Sequence, residues 1–306
     1  MSARSRRTAA LVVSAVLSGA ALLGATGSAF AATPAAAPAT AAHGQLTVSD
    51  GGHWVLINGR WVNFGITVRD LAWTPNGAKA VFVDGSGSLD SANADGSGRV
   101  VIARNPGNQV WSHPTVQVSA ADPQEGIAAK DNVIFTASTK GVTRLEYVSA
   151  TAVNGKPQLL PLNHESGEGV KPLPQTGNQW PSAGGPNGSS AYANSNGDVY
   201  LRDDNLRQQG IALTQGSEPA LSPSGDEVVF VRSVAGHDHI LVENLTNSSV
   251  KDLTPHATTN YTEPAWSSDN GTLAARTPSG TVTLAANGTG KPVLATAAVG
   301  LAAYRA

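Results

Sequence analysis

Glu263-Pro264-Ala265-Trp266-Ser267-Ser268-Asp269-Asn270-Gly271, running into Leu273-Ala274-Ala275, decides the fold because the chain repeats it. Glu218-Pro219-Ala220-Leu221-Ser222-Pro223-Ser224-Gly225 leads in the same way to Val228-Val229-Phe230-Val231. Leu71-Ala72-Trp73-Thr74-Pro75-Asn76-Gly77 leads to Val81-Phe82-Val83. Each copy reads as strand, tight turn, strand: proline fixes φ on the way into the turn, and Gly or Asn inside it accepts a positive φ. Spaced copies of one such unit are the mark of a repeat architecture.

Outside these copies the same grammar continues. Val133-Ile134-Phe135, Val199-Tyr200-Leu201 and Ile240-Leu241-Val242 are short apolar runs between clusters of Gly, Asn, Asp, Pro and Ser, with no apolar stripe at helical spacing. Ala94-Asp95-Gly96-Ser97-Gly98-Arg99-Val100-Val101 echoes Ala286-Asn287-Gly288-Thr289-Gly290-Lys291-Pro292-Val293, as a hairpin joining the third and fourth strands of a unit would. The expected class is all-β, a single β-propeller.

The motif x-Pro-Ala-Trp-Ser-Pro-Asp-Gly, followed by an apolar strand and an Asp-Gly hairpin, resembles the repeat of TolB-type periplasmic propellers. It is carried here by Leu71 to Gly77, Glu218 to Gly225 and Glu263 to Gly271, and in degraded form by His113-Pro114-Thr115-Val116 and Trp180-Pro181-Ser182-Ala183. The resemblance implies a non-enzymatic envelope protein that binds partners. This chain has no evident counterpart of the additional N-terminal domain of the full TolB protein. Peptidases with a similar propeller carry catalysis on a separate α/β-hydrolase domain, for which no residues remain.

Unit starts near Leu71, Pro114, Pro181, Pro219, Pro264 and Leu301 give six blades, or seven if the interval from Pro114 to Pro181 conceals a degraded one. Asn163 to Asn178 is the natural insertion in that interval. The last start leaves too few residues for a blade. The sheet is therefore expected to be completed by Leu46 to Phe64, with turns at Asp50-Gly51-Gly52 and Asn58-Gly59, so that N- and C-terminal strands close the ring.

At the N-terminus, Arg4, Arg6 and Arg7 precede an uncharged stretch that closes on Ala29-Phe30-Ala31, the pattern of a cleaved signal peptide over residues 1–31. A retained membrane anchor is the alternative, weakened by the Gly and Ser positions within the stretch. Residues 32–45 form an Ala/Pro/Thr tail with almost nothing to bury, and residues 46–306 form the propeller domain. The expected location is secreted or on the exterior of the cell envelope. The expected molecule is a monomer without stable membrane insertion.

Without cysteine there is no disulfide framework, thiol catalysis or thiolate metal site. Loss of the leader moves the balance from 20 basic against 22 acidic residues to 17 against 22, a net charge of −5, which disfavours nucleic acid as a partner.

No catalytic signature of the common hydrolase, zincin or P-loop kinds occurs, so an enzyme is the less favoured reading. His237-Asp238-His239 offers two imidazoles on one strand face, or a turn entering a strand. Asn93-Ala94-Asp95-Gly96 approaches a calcium-loop pattern but reads as a turn, because Ser91 stands where an acid is required. No cofactor is expected, with calcium or another divalent ion as the alternative.

Aligned at the residue before the proline are Asp70, His113, Trp180, Glu218, Glu263 and Val299. If these start the innermost strands, the first five form a ligand-binding set at the channel mouth, suited to a cation, a Lys- or Arg-bearing peptide or a polar small molecule. As ordinary surface carboxylates they would instead pair with neighbouring blades. Trp73 and Trp266 match in the repeat and are expected as wedges between blades. Trp54 and Trp61 flank the Asn58-Gly59 hairpin, where cross-strand packing accounts for them. Trp111 and Trp180 are the candidates for a partner-binding surface. The leading expectation is a binding or scaffold protein for another exported protein or peptide. The second is a propeller hydrolase or lyase acting on a sugar, lactone or other small molecule, with Asp70, His113, Glu218 and Glu263 as acid, base or metal ligands.

Overall fold

A computed structural model describes residues 44–124, 126–164, 172–203 and 209–306. The segment expected as a signal peptide, most of the expected tail and part of the Asn163–Asn178 insertion lie outside the described residues.

The described chain is all-β and forms six blades, each a four-stranded antiparallel sheet, one of which carries a fifth strand. Blade 1 comprises Arg69–Trp73, Lys79–Val83, Leu89–Asn93 and Val100–Ala103. Blade 2 comprises Val110–Ser119, Lys130–Thr139, Val142–Ser149 and Gln158–Leu159, which occupies the interval where a seventh unit was an alternative. Blade 3 comprises Asn178–Gly184, Ser189–Asn194, Asp198–Arg202 and Gln209–Gln215, and Asn163–His164 from the insertion pairs parallel to its outermost strand. Blade 4 is Ser217–Leu221, Glu227–Val234, His237–Asn244 and Val250–Asp252; blade 5 is Thr262–Trp266, Thr272–Thr277, Gly280–Ala285 and Val293–Thr296.

Blade 6 closes the ring. Its innermost strand is the C-terminal Leu301–Arg305, paired with Gln45–Ser49 from the other end of the described chain and followed outward by Trp54–Ile57 and Arg60–Asn63. The first strand therefore begins at Gln45, one residue inside the span assigned to the tail. The Asn58-Gly59 turn has φ values of 48° and 75°, the doubly positive geometry that a two-residue hairpin requires.

The continuous apolar runs follow from burial on both faces of the second strand. Val228 and Phe230 pack toward blade 3, whereas Val229 and Val231 pack toward blade 5. Phe82 likewise faces blade 6 while Val81 and Val83 face blade 2. Trp73 and Trp266 are the expected wedges. Trp73 Nε1 donates to Thr47 Oγ1 of blade 6 at 3.0 Å, and Trp266 Nε1 donates to Ala220 O of blade 4 at 2.9 Å. Each tryptophan so buries its ring and satisfies its only donor.

The repeat contains one further device. The hydroxyls of Thr74, Ser222 and Ser267, each the residue that opens the turn, accept the N–H of Lys79, Glu227 and Thr272 at 3.0, 3.1 and 2.9 Å. The hydroxyl clamps the hairpin five residues on, which explains why Ser or Thr recurs there.

Candidate functional site

Asp70, His113, Trp180, Glu218 and Glu263 share one backbone state. Their φ angles lie between 49° and 53°, in the left-handed region that non-glycine residues rarely adopt. At each of them the pairing of innermost and second strand slips, forming a bulge. Bulges re-aim side chains and release a backbone N–H from the ladder. Here the released N–H groups cross to the preceding blade. His113 N donates to Asp70 Oδ2 at 3.1 Å, Trp180 N to Thr136 Oγ1 at 3.1 Å, and Glu263 N to Glu218 Oε2 at 2.6 Å.

Val299 does not join the set. It precedes the last strand, is 45% exposed, and blade 6 pairs in unbroken register from Gln45–Arg305 to Ser49–Leu301. At the neighbouring Gly300 a Cβ would collide with Ser49 O, so strand closure leaves no room for a projecting side chain.

His113, Trp180, Glu218 and Glu263 line a cavity of about 500 Å³ bounded by the innermost strands of the blades. Its walls carry Pro114, Pro181, Pro219 and Pro264, and at the far end of the strands it reaches the turns at Pro75, Pro186 and Pro223. Asp70 belongs to the ring but lies outside this lining, its Oδ2 occupied by the His113 backbone.

The ring is electrically coupled. His113 Nε2 lies 3.4 Å from Glu263 Oε1, and Arg276 Nη1 lies 2.9 Å from Glu263 Oε2, an ion pair without hydrogen-bond alignment. Arg276 also donates from Nε to Thr262 Oγ1 at 3.2 Å. Burial opposes a charge on His113, but the Glu263 contact and the charges of Asp70, Glu263 and Glu218 outweigh it and hold its pKa above the ordinary value. Burial, reinforced by Glu263, raises the carboxyl of Glu218 despite the Glu263 N–H, Arg276 and His113. Trp180 stands edge-on to the His113 ring at a centroid separation of 6.2 Å.

Arg276 escaped the sequence reading. It lies on the second strand of blade 5, and only the register Thr262–Arg276 brings it beside Glu263. Trp111 requires a correction. It is 1% exposed, packs on Phe135 at 4.9 Å in the core between blades 1 and 2, and donates Nε1 to Gln109 Oε1, so it presents no surface to a partner. Trp54 and Trp61 stand about half exposed on the outer hairpin of blade 6.

His239 is buried with Nδ1 2.8 Å from Asp252 Oδ2, and the Ala235-Gly236 turn enters the strand that carries both His237 and His239. Asp95 Oδ1 accepts from Ser97 N and Oγ, the turn geometry anticipated for Asn93–Gly96. Among the described residues no three His, Asp or Glu side chains converge closely enough to hold a metal ion.

No family model matches the chain, and no curated protein matches it by sequence. Solved structures do match. TolB from Acinetobacter baumannii is similar over 86% of this chain and 66% of that one, with a TM-score of 0.57 and 14% identity; this chain thus spans just under two thirds of its length. A putative TolB from Agrobacterium tumefaciens is similar over 81% of this chain and 87% of that one, with a TM-score of 0.55 and 14% identity. An oligogalacturonate lyase in complex with manganese is similar over 79% and 70%, at a TM-score of 0.50 and 10% identity. The likeness is one of fold: the chain is a six-bladed propeller similar in fold to TolB.

Proposed function

We propose that this propeller is a secreted, non-enzymatic binding protein that takes a segment of another exported polypeptide into its channel. One observation carries the reading: five backbone-strained residues on five blades share one repeat position, and four of them, His113, Trp180, Glu218 and Glu263, line a single cavity of about 500 Å³. Left-handed φ at Asp, His, Trp and Glu costs on the order of 1–3 kcal/mol per residue, and such strain clusters where side chains must be aimed. The proline-rich walls offer an apolar lining with few rotamers to immobilise, and Trp180 supplies an aromatic face, a combination suited to an extended peptide.

Panning a random-peptide library against the full chain tests this. The expected result is a family of peptides whose binding is lost in Trp180→Ala. Selected peptides that bind Trp180→Ala and Glu218→Gln as well as the parent would overturn the assignment of the channel.

A second reading, hydrolase or lyase chemistry on a sugar, lactone or similar molecule, rests on the 3.4 Å approach of His113 Nε2 to Glu263 Oε1, an acid–base pair inside the cavity. Turnover of such a compound, abolished in His113→Gln, would favour it.

A further inference from the structure

We infer that the ring reads a lysine or arginine side chain, and that His113 releases a proton as that cation enters. The inference rests on the polypeptide-binding reading above and names the chemistry of the bound segment.

Four of the six carboxylate oxygens of Asp70, Glu218 and Glu263 are already committed. Glu263 directs Oε1 to His113 and Oε2 to Arg276. Asp70 Oδ2 holds the N–H of His113, and Glu218 Oε2 holds that of Glu263. Asp70 Oδ1 and Glu218 Oε1 are left without a hydrogen-bond partner among the described residues. These two carboxylates come from blades 1 and 4, and the charge of each acts on His113. Glu218 lines the cavity, so its uncommitted oxygen is open to a donor on a ligand, while Asp70, outside the lining, adds its charge.

Charge balance then selects the donor. The groups that face one another here are Asp70, Glu218 and Glu263 against His113 and Arg276, together with the neutral Trp180. With His113 protonated, three carboxylates meet two cations; with His113 neutral, they meet one. A single positive charge from a ligand does the same electrostatic service as the proton on His113, so in a desolvated cavity the two compete. The carboxylates that face His113 raise its proton affinity, so the ring favours a positive charge beside them.

An organic cation fits the surroundings. The side chains do not converge into a metal cage among the described residues, whereas Pro114, Pro219 and Pro264 line the approach with apolar surface. Lysine and arginine lay their aliphatic stems along such walls and deliver the charge at the tip, and the Trp180 ring offers a cation–π face beside it.

Calorimetric titration of the full chain with acetyl-Ala-Ala-Lys-Ala-Ala-amide, and with the same peptide carrying norleucine for lysine, tests the inference. The titrations are run at pH 6, 7 and 8, in phosphate and in Tris, whose heats of ionisation differ. The lysine peptide is expected to bind about tenfold or more tightly than the norleucine peptide, consistent with a charge-assisted contact. It should release up to one proton, with affinity rising by as much as about tenfold per pH unit through the titration of His113. His113→Gln should bind it without proton release and without that pH dependence. The proton count in the parent protein needs no variant, so a His113→Gln chain that fails to fold leaves the test intact.

Equal binding of the two peptides, or identical apparent heats in the two buffers, would overturn the inference while the peptide-binding reading stands. So would binding by library-selected peptides alone. If neither the synthetic nor any selected peptide binds in the channel, the reading beneath it fails as well.

Discussion

Glu218 of blade 4 accepts the backbone N–H of Glu263 of blade 5 at 2.6 Å, so one member of the ring fixes the next across a blade boundary. Glu218→Ala strips that partly buried N–H of its acceptor and should destabilise the domain by about 1 kcal/mol, toward the low end of the cost of an unpaired donor. Glu218→Gln retains an acceptor oxygen and should cost less than about 1 kcal/mol. Urea denaturation midpoints of the two variants, compared at equal m-values, give the difference.

Stability should fall as pH rises, in two separable windows. The folded state raises the pKa of His113 above 6.5, so its stabilising contribution is complete below 6.5 and is lost as pH climbs through the raised folded value. Asp90 is raised by burial, then by Asp84, from 3.8 to about 6 against the opposing pull of Arg99 and Arg104, so its ionisation weakens the fold between pH 3.8 and about 6. Denaturation measured from pH 4 to 9 should show His113→Gln flattening the upper window and Asp90→Asn the lower one.

Trp111 and Trp180 should separate stability from binding. Trp111→Ala opens a cavity in the core between blades 1 and 2 and should cost about 3–5 kcal/mol. Trp180 lines the channel and remains partly exposed, so Trp180→Ala should cost less than Trp111→Ala and act chiefly on peptide binding. Thermal melts of both, beside the library-panning result, check the contrast.

Deleting Leu301–Ala306 removes the innermost strand of blade 6 and leaves Gln45–Ser49 as an unpaired edge. The expected outcome is loss of the cooperative transition of the whole domain, with exposed apolar surface reported by dye binding. A truncated chain that retains near-native melting would show that the ring does not depend on its closure.

The blades were legible because their causes are local. Pro75, Asn76 and Gly77, or Ser222 to Gly225, set a turn with nothing but their own backbone preferences, and the unbroken apolar run Val228 to Val231 declares burial on both faces. The ring positions were legible for the same reason, since each holds the same place in the repeat, directly before a proline in four of them and before Leu71 at Asp70. Arg276 was not, because nothing near it in the chain marks it. Trp111 was misassigned because an aromatic beside a degraded repeat gives no sign of which way it faces; the register Trp111–Ala137 and the packing on Phe135 settle that.

The sequence by itself determined the all-β class, a ring of six or seven units, the exchange of terminal strands and the set of residues that begin the innermost strands. These follow from turn chemistry and period, which act over a few residues. Only the tertiary structure decided that five of those residues take a left-handed φ, that the sixth blade contributes none, and that His113 meets Glu263 across a separation of 150 residues. Closing the ring fixes such distances, and no local preference encodes a contact that exists only once six blades are in place.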